Sequence, residues 1–315
     1  MASGFVEPER AVAPDGARPS RGLALVAALA TLWVSAAIGC MAVRRWQRAL
    51  FWLLTDWAWV AVFIAAVVTG HPRLFWAGFL AFIGWRIPAA IDAYRVVKRA
   101  RARDEVGWPT LIRAWVVLTV GAIVMAKGII RPFFVEAFQI PSGGMHPTLI
   151  VGDHIMVDKL RRSPHRGDVV VFKYPLDPTT DYVKRVVGLP GDVLEISHGL
   201  LAINGAVLPS ERVQEGCPTG QDGFTCVIEN ETLDGRTYQI ETDTARGERN
   251  FGPYVVPPGK LFVLGDNRDN SSDSRVWGPV PLEYVKGVVR LIWWSSTAPN
   301  MAGAVRWDRV NTLVR

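Results

Sequence analysis

Four long apolar runs follow one another over the first 130 residues, and short alternating runs of β-branched residues fill most of what comes after. Gly22 to Val43 is apolar and uncharged over roughly the 20 residues that a helix needs to cross a bilayer. Ala49 to Gly70 repeats the pattern with Asp56 as its one charge. Leu74 to Ile91 is interrupted by Arg86 and Pro88, and Leu111 to Ile130 carries Arg113 and Lys127 near its ends, where long side chains can reach polar surroundings. Four such runs in succession, rich in Trp and nearly free of acids, predict four transmembrane helices rather than buried core helices.

From Phe133 the period changes to that of strands. Ile155–Val157, Asp168–Tyr174, Tyr182–Val187, Val193–Ile196 and Leu200–Ile203 are short β-branched runs separated by Arg-Gly-Asp, Leu-Pro-Gly-Asp and Asn-Gly, which are turn signals at strand spacing. Asn204-Gly205 between two apolar runs predicts a tight hairpin with a mirror-image turn. Tyr238–Ile240, Tyr254–Val256, Lys260–Leu264 and Val285–Trp294 continue the series. The expected architecture is a polar tail over 1–20, three helices over 21–110, a fourth over 111–131, and a β-rich domain over 132–315. Residues 209–252 are polar and glycine-rich and read as an insertion of looser hairpins.

Charge adds an orientation. Arg44, Arg45 and Arg48 join the first two predicted spans; Arg95, Lys98, Arg99, Arg101 and Arg103 join the third and fourth. Basic residues in short loops stay cytoplasmic, so both termini and the β-rich part are expected outside. The tail balances Glu7, Glu9 and Asp15 against Arg10, Arg18 and Arg21 and does not oppose this. The net charge of +6 is thus chiefly an orientation signal. A nucleic-acid partner would require basic residues clustered on the soluble part, and they are not.

Of the three cysteines, Cys217 and Cys226 fall in the insertion, where an oxidising compartment favours a disulfide between them. A zinc site would need two further ligands there, and no histidine stands nearby. No metal or cofactor is expected.

Three stretches carry candidate chemistry. The first, Phe138 to Leu149, is fenced by Pro141 and Pro147, with Ser142, Gly143 and Gly144 between them. A rigid entry, a small-residue turn with one hydroxyl and a rigid exit suit a peptide-handling site. The second is Lys184, which strand alternation puts on one face with Tyr182 and Val186. Desolvation there would lower its pKa towards that of a base; the commoner outcome for such a pattern is a strand-edge lysine that snorkels to water. The third, Leu264 to Arg275, packs small polar residues and charges of both signs densely enough to read as a buried network rather than a solvated loop.

Taken together the motifs resemble those of bacterial signal peptidase I. These are Phe138-Gln139-Ile140-Pro141-Ser142-Gly143, Met145, Pro147-Thr148-Leu149, Arg166-Gly167-Asp168, Tyr182 to Asp192 and Gly265 to Arg275. The likeness runs from about Arg131 to the C-terminus. It implies a β-rich domain on the outer face of the cell's inner (plasma) membrane, held by a multi-pass anchor. It also implies a Ser/Lys-dyad endopeptidase that removes signal peptides from exported preproteins, usually after Ala-x-Ala. Signal peptides and the lipid bilayer are then the partners. The resemblance makes Lys184 the general base, Ser271 the serine that orients it, Asp273 and Arg275 a supporting ion pair, and Ser142 a hydroxyl that helps bind the oxyanion. It places Gln139, Pro141, Met145 and Tyr182 against the substrate, and puts Cys217 and Cys226 where some members carry a disulfide.

The chain departs from this pattern at its centre. The family's nucleophile stands immediately before the motif methionine, and that residue here is Gly144. Three readings follow: Ser142 is a displaced nucleophile, the protein binds signal peptides without cutting them, or Gly144 is an introduced change that traps substrate.

Overall fold

A computed structural model describes residues 21–314 apart from 34, 36, 70, 101–107, 162, 217–225, 244–249, 299, 300 and 302. The predicted tail over 1–20 lies outside the described residues. The chain divides into a helical unit, Met1–Phe63 with Trp76–Ala126, and a β-rich unit, Ile64–Phe75 with Lys127–Arg315.

The helices are α1 (Arg21–Trp33), α2 (Ala37–Ala42), α3 (Trp46–Thr69), α4 (Pro72–Lys98), α5 (Trp108–Met125) and the short α6 (Arg131–Phe133), the last two joined by a π-helical turn over Ala126–Ile130. Among the described residues two helices, Trp46–Thr69 and Pro109–Ile130, are long and apolar enough to cross a membrane. They correspond to the second and fourth predicted spans.

The other two predicted spans take different forms. Ser35 Oγ accepts a hydrogen bond from Ala37 N at 3.1 Å, the arrangement of a residue that starts a helix, and so the first run is split between α1 and the six-residue α2. The third run lies inside the 27-residue α4, which also bears Arg86 and Asp92. Arg86 Nη1 lies 3.2 Å from Asp56 Oδ1 on α3 and donates to the Thr31 carbonyl of α1 at 3.4 Å. Buried charges persist only with such partners. Against the same helix, Gly39 brings α2 so near that a methyl group there would stand 3.2 Å from Ala93 Cβ.

The β-rich unit opens with β1 (Val135–Gln139) paired antiparallel to β2 (Asp153–Asp158). β3 (Val169–Tyr174) and β4 (Asp177–Gly188) follow, then β5 (Val193–Ser197), β6 (Leu200–Ile203) and β7 (Ala206–Val207). The insertion supplies β8 (Ser210–Glu215), β9 (Cys226–Leu233) and β10 (Arg236–Asp243). β11 (Phe251–Val255), β12 (Lys260–Leu264), the single turn α7 (Ser274–Trp277), β13 (Val280–Pro281), β14 (Val285–Ser295) and β15 (Thr312–Leu313) complete it. One sheet runs β1-β2-β14-β3-β4-β12-β13 with β15 on β14; smaller sheets run β11-β5-β6-β7 and β10-β9-β8.

Strand burial explains the order. Val169 to Phe172 of β3 are buried in succession, as expected of a central strand covered on both faces. Ile140, Met145, Leu149, Ile155 and Val157 join Val169, Val171, Val289 and Ile292 in one apolar cluster. The predicted Asn204-Gly205 hairpin is present: both residues have positive φ, 53° and 81°, and Ile203 faces Ala206 across the turn.

The insertion is tighter than its composition suggests. Asp234 and Gly235, with φ of 47° and 76°, turn β9 directly into β10 over an eight-pair ladder from Leu233↔Arg236 to Cys226↔Asp243. Cys226 is buried at the start of β9 and is disulfide-bonded; its predicted partner, Cys217, lies outside the described residues.

Candidate active site

Lys184 and Arg185 occupy successive positions of β4, and both are buried, Lys184 at 6% exposure and Arg185 at 0%. Lys184 pairs across from Val170, and Arg185 from both Val169 and Leu264. The β12–β4 ladder stops at that last pair, so the chain leaving β12 at Gly265 turns away beside Lys184. Neither residue snorkels to water: both side chains are buried, Arg185 against Asp266 of the Gly265–Arg275 loop.

The Gly265–Arg275 loop is folded inward, as its density of small polar residues suggests. Asp266 and Asp273 are wholly buried, and Asn267, Arg268 and Ser274 nearly so. Arg185 donates to Asp266 through Nε at 2.8 Å and Nη2 at 2.6 Å, and to the Gly167 carbonyl at 2.7 Å. Asp273 accepts from Gly265 N at 3.0 Å and from Arg275 through Nε and Nη2 at 2.8 and 2.7 Å. Arg275 also donates to the Arg268 carbonyl at 2.6 Å, which ties the two ends of the loop together. Charge-assisted, two-pronged pairs of this kind fix geometry strongly.

The insertion hairpin braces the same loop. Arg268 pairs with Glu231 of β9, Nη1 to Oε2 at 2.8 Å, and the Tyr238 hydroxyl donates to Glu231 at 2.6 Å. Burial pushes the Glu231 carboxyl up, but Arg268 and the Tyr238 hydroxyl outweigh it and hold Glu231 below its ordinary range. Glu241 N donates to the Asp266 carbonyl and Arg268 N to the Glu241 carbonyl, each at 2.8 Å. His146 Nδ1 is also hydrogen-bonded to the Glu241 carboxylate. Sequence reading missed Arg185, Glu231, Tyr238, Glu241 and His146 as members of the site's frame, while Asp266 lies in the Leu264–Arg275 network it singled out. The available signal is Arg185: an arginine beside Val183, Val186 and Val187 survives burial only with an acidic partner.

The Pro141–Leu149 loop meets the Gly265–Arg275 loop at two glycines. A methyl group at Gly265 would stand 2.1 Å from Ser271 Oγ and 2.4 Å from the Gly144 carbonyl, so only glycine permits this approach. Asn267 holds the crossing through Nδ2 to the Gly143 carbonyl at 3.3 Å. At Gly144 the outcome is different. A methyl group there would stand 3.1 Å from Lys184 Nζ, 3.7 Å from the Asn270 carbonyl and 3.8 Å from Ser271 Oγ. Gly144 is not among the residues of positive φ, so its backbone accepts an L side chain.

Lys184 and Ser271 are therefore brought together around position 144. Ser271 Oγ is buried without a hydrogen-bond partner, and the expected bond from it to Lys184 is not formed. Burial lowers the pKa of Lys184 below its ordinary value; Asp273 and Asp266 oppose the shift and Arg275 adds to it. Ser142 is exposed and is not among the three atoms nearest a side chain at 144. Gln139 and Pro141 are also exposed, Met145 is buried in the apolar cluster beneath them, and the Tyr182 ring centre lies 5.9 Å from Lys184 Nζ. Tyr182 is in turn stacked on Tyr174, ring centres 4.3 Å apart.

Comparison with known proteins adds relatives of the chain. The family model described as signal peptidase, peptidase S26, matches residues 112–294. Signal peptidase I of Pseudomonas fluorescens is 37% identical over 212 residues, covering 59% of this chain and 74% of that one. Its counterpart from Pseudomonas aeruginosa is 35% identical over the same shares, and that of Aquifex aeolicus is 36% identical over 57% of this chain and 83% of that one.

Proposed function

The chain belongs to the signal peptidase family, peptidase S26, and we propose that it is a membrane-bound endopeptidase that cleaves signal peptides from exported preproteins after Ala-x-Ala, with Lys184 as general base. The observation that carries this reading is the convergence of Lys184 Nζ and Ser271 Oγ within 4 Å of a side chain at position 144. A buried lysine whose charged form is disfavoured gives up its proton more readily than an ordinary lysine and can serve as a base. Ser271 orients Lys184, and Asp273 with Arg275 holds the loop that presents Ser271. Ser142 donates to the oxyanion, and Gln139, Pro141, Met145 and Tyr182 shape the groove for the peptide. The two apolar helices Trp46–Thr69 and Pro109–Ile130 support a membrane anchor. The four-span arrangement with both termini and the catalytic domain outside belongs to the same proposal.

Gly144 favours a second reading, a homologue that binds signal peptides without cutting them. Replacing Gly144 by Ser separates the two. The frame around position 144 accepts an L residue, and a serine there begins in contact with Lys184. Gly144→Ser should therefore raise cleavage of an Ala-x-Ala precursor strongly, followed by gel shift of the mature product, and Lys184→Ala in that background should abolish it. Precursor bound by the protein but cut by neither form would assign it to the binding class.

A further inference from the structure

The ties that join Gly143 and Gly144 directly to the Gly265–Arg275 loop are long. Asn267 donates through Nδ2 to the Gly143 carbonyl at 3.3 Å and through its backbone N to the Gly144 carbonyl at 3.4 Å. Both bonds join neutral groups, and both end on glycines, whose backbone shifts with little resistance. The turn that carries Gly144 is closed by His146, whose N donates to the Gly143 carbonyl at 3.0 Å. A displacement of His146 therefore displaces residue 144 with it.

The His146 side chain gives that turn a stronger hold. It is buried, and its Nδ1 is hydrogen-bonded to Glu241 of β10. A carboxylate only accepts, so Nδ1 carries the proton, and a bond to a charged acceptor is roughly twice as strong as a neutral one. The backbone of Glu241 is fixed in its turn: its N donates to the Asp266 carbonyl and its carbonyl accepts from Arg268 N, each at 2.8 Å. Asp266 is gripped by Arg185, the residue after Lys184. One residue of the insertion hairpin thus closes a circuit from β4 through Asp266 and Glu241 to His146 and residue 144.

We propose that Glu241 is a positioning residue: through His146 its side chain holds the residue-144 turn against Lys184, and so sets the rate at which a nucleophile at that position is activated. For its effect on cleavage the inference rests on the endopeptidase reading above, and it extends the site to the insertion hairpin. A methyl group at 144 stands 3.1 Å from Lys184 Nζ, and a nucleophile must stay within hydrogen-bond reach of its base. A misplacement of about 1 Å costs on the order of 10²-fold in rate. The role belongs to the side chain alone. The two backbone bonds of Glu241 survive its replacement by Ala or Gln, so the hairpin stays attached when the link to His146 is cut.

The test uses the full chain in detergent and has two arms. In the Gly144→Ser background, Glu241→Ala should lower kcat for an Ala-x-Ala precursor by about 10²-fold with KM unchanged. Glu241→Gln, which keeps an acceptor oxygen, should retain most of the rate. His146→Ala should match the Glu241→Ala loss, and His146→Asn, whose amide nitrogen can stand where Nδ1 stands, should restore it. The two alanine changes together should be no slower than either alone. The second arm needs no cleavage. The thiol introduced by Gly144→Cys lies beside Lys184, which favours its thiolate, so iodoacetamide should alkylate it at lower pH than an ordinary cysteine. Lys184→Ala and Glu241→Ala should each move that profile to higher pH. A profile that Glu241→Ala leaves in place would overturn the proposal, whether or not Gly144→Ser cuts. No cleavage by Gly144→Ser, with a profile that Glu241→Ala does move, would sink the endopeptidase reading and uphold the positioning role.

Discussion

At the scale of single residues, Lys184 sets the pH response. Burial favours its neutral form, so its pKa lies below the ordinary lysine value. As pH rises through that lowered value the base form accumulates, and kcat/KM of the Gly144→Ser variant should rise with it. Arg275 lowers the Lys184 pKa, so Arg275→Gln should move the rising limb to higher pH; Asp273 raises it, so Asp273→Asn should move the limb to lower pH. Shifts of the same sign in both variants would refute the electrostatic account. Glu231 gives a stability prediction. Glu231→Gln leaves Arg268 buried without its counter-charge, a loss of about 3–5 kcal/mol for a broken buried pair. The folded pKa of Glu231 lies below its unfolded one. Its contribution is therefore present above the ordinary glutamate range and is lost as pH falls through the folded value. Thermal melting of the full chain should show the variant's deficit near neutrality and its disappearance on the acid side.

At the scale of elements, two glycines in turns and loops predict opposite patterns. Gly205 has φ of 81° with open space around it, so Gly205→Ala should cost about 1–2 kcal/mol of backbone strain and leave the site untouched. Gly265→Ala instead drives a methyl group into Ser271 and the Gly144 carbonyl. It should cost about 1–3 kcal/mol as an overpacked contact and also remove cleavage by Gly144→Ser. Melting temperature and precursor cleavage, measured together, separate strain in a turn from displacement of the site. The same comparison shows how unevenly the elements can be read in the sequence. Asn204-Gly205 announces its hairpin locally, because the turn needs two residues that tolerate positive φ. Asp234-Gly235 carries the same signal, yet the polar composition around it reads as loose. That composition is polar because Glu231 and Glu241 point their side chains at Arg268 and His146 from distant segments, and Tyr238 donates to Glu231 across the hairpin.

At the scale of the whole molecule, the basic loops predict one topology. Single cysteines at Ser3 and Asp104, in a cysteine-free background, should react oppositely with an impermeant thiol reagent in intact cells. Only the first should label if the termini lie outside. The reverse pattern would put the β-rich unit on the other side of the membrane, away from exported precursors. Hydropathy along the chain cannot by itself decide how many helices cross. The run over Gly22–Val43 is apolar enough, but Ser35 restarts the helix, and α4 gains polar contacts to α1 and α3 through Arg86.

What the sequence by itself determined is whatever depends on neighbours in the chain. That includes the apolar helices, the strand runs with their turns, the motif set of the family, and the absence of a side chain at residue 144. Lys184 as a candidate base was legible too, but its burial was not. Alternation assigns a face to a strand residue and says nothing about what covers that face. Only the tertiary structure decided that Lys184 is buried beside β3, where β12 has already turned away, and that Gly265, 121 positions downstream, lets its loop cross beside Gly144. It alone matched Arg185 with Asp266 and Arg268 with Glu231, pairs separated by 81 and 37 positions. Buried charges must find opposite charges in space, and sequence distance places no limit on where the partner comes from.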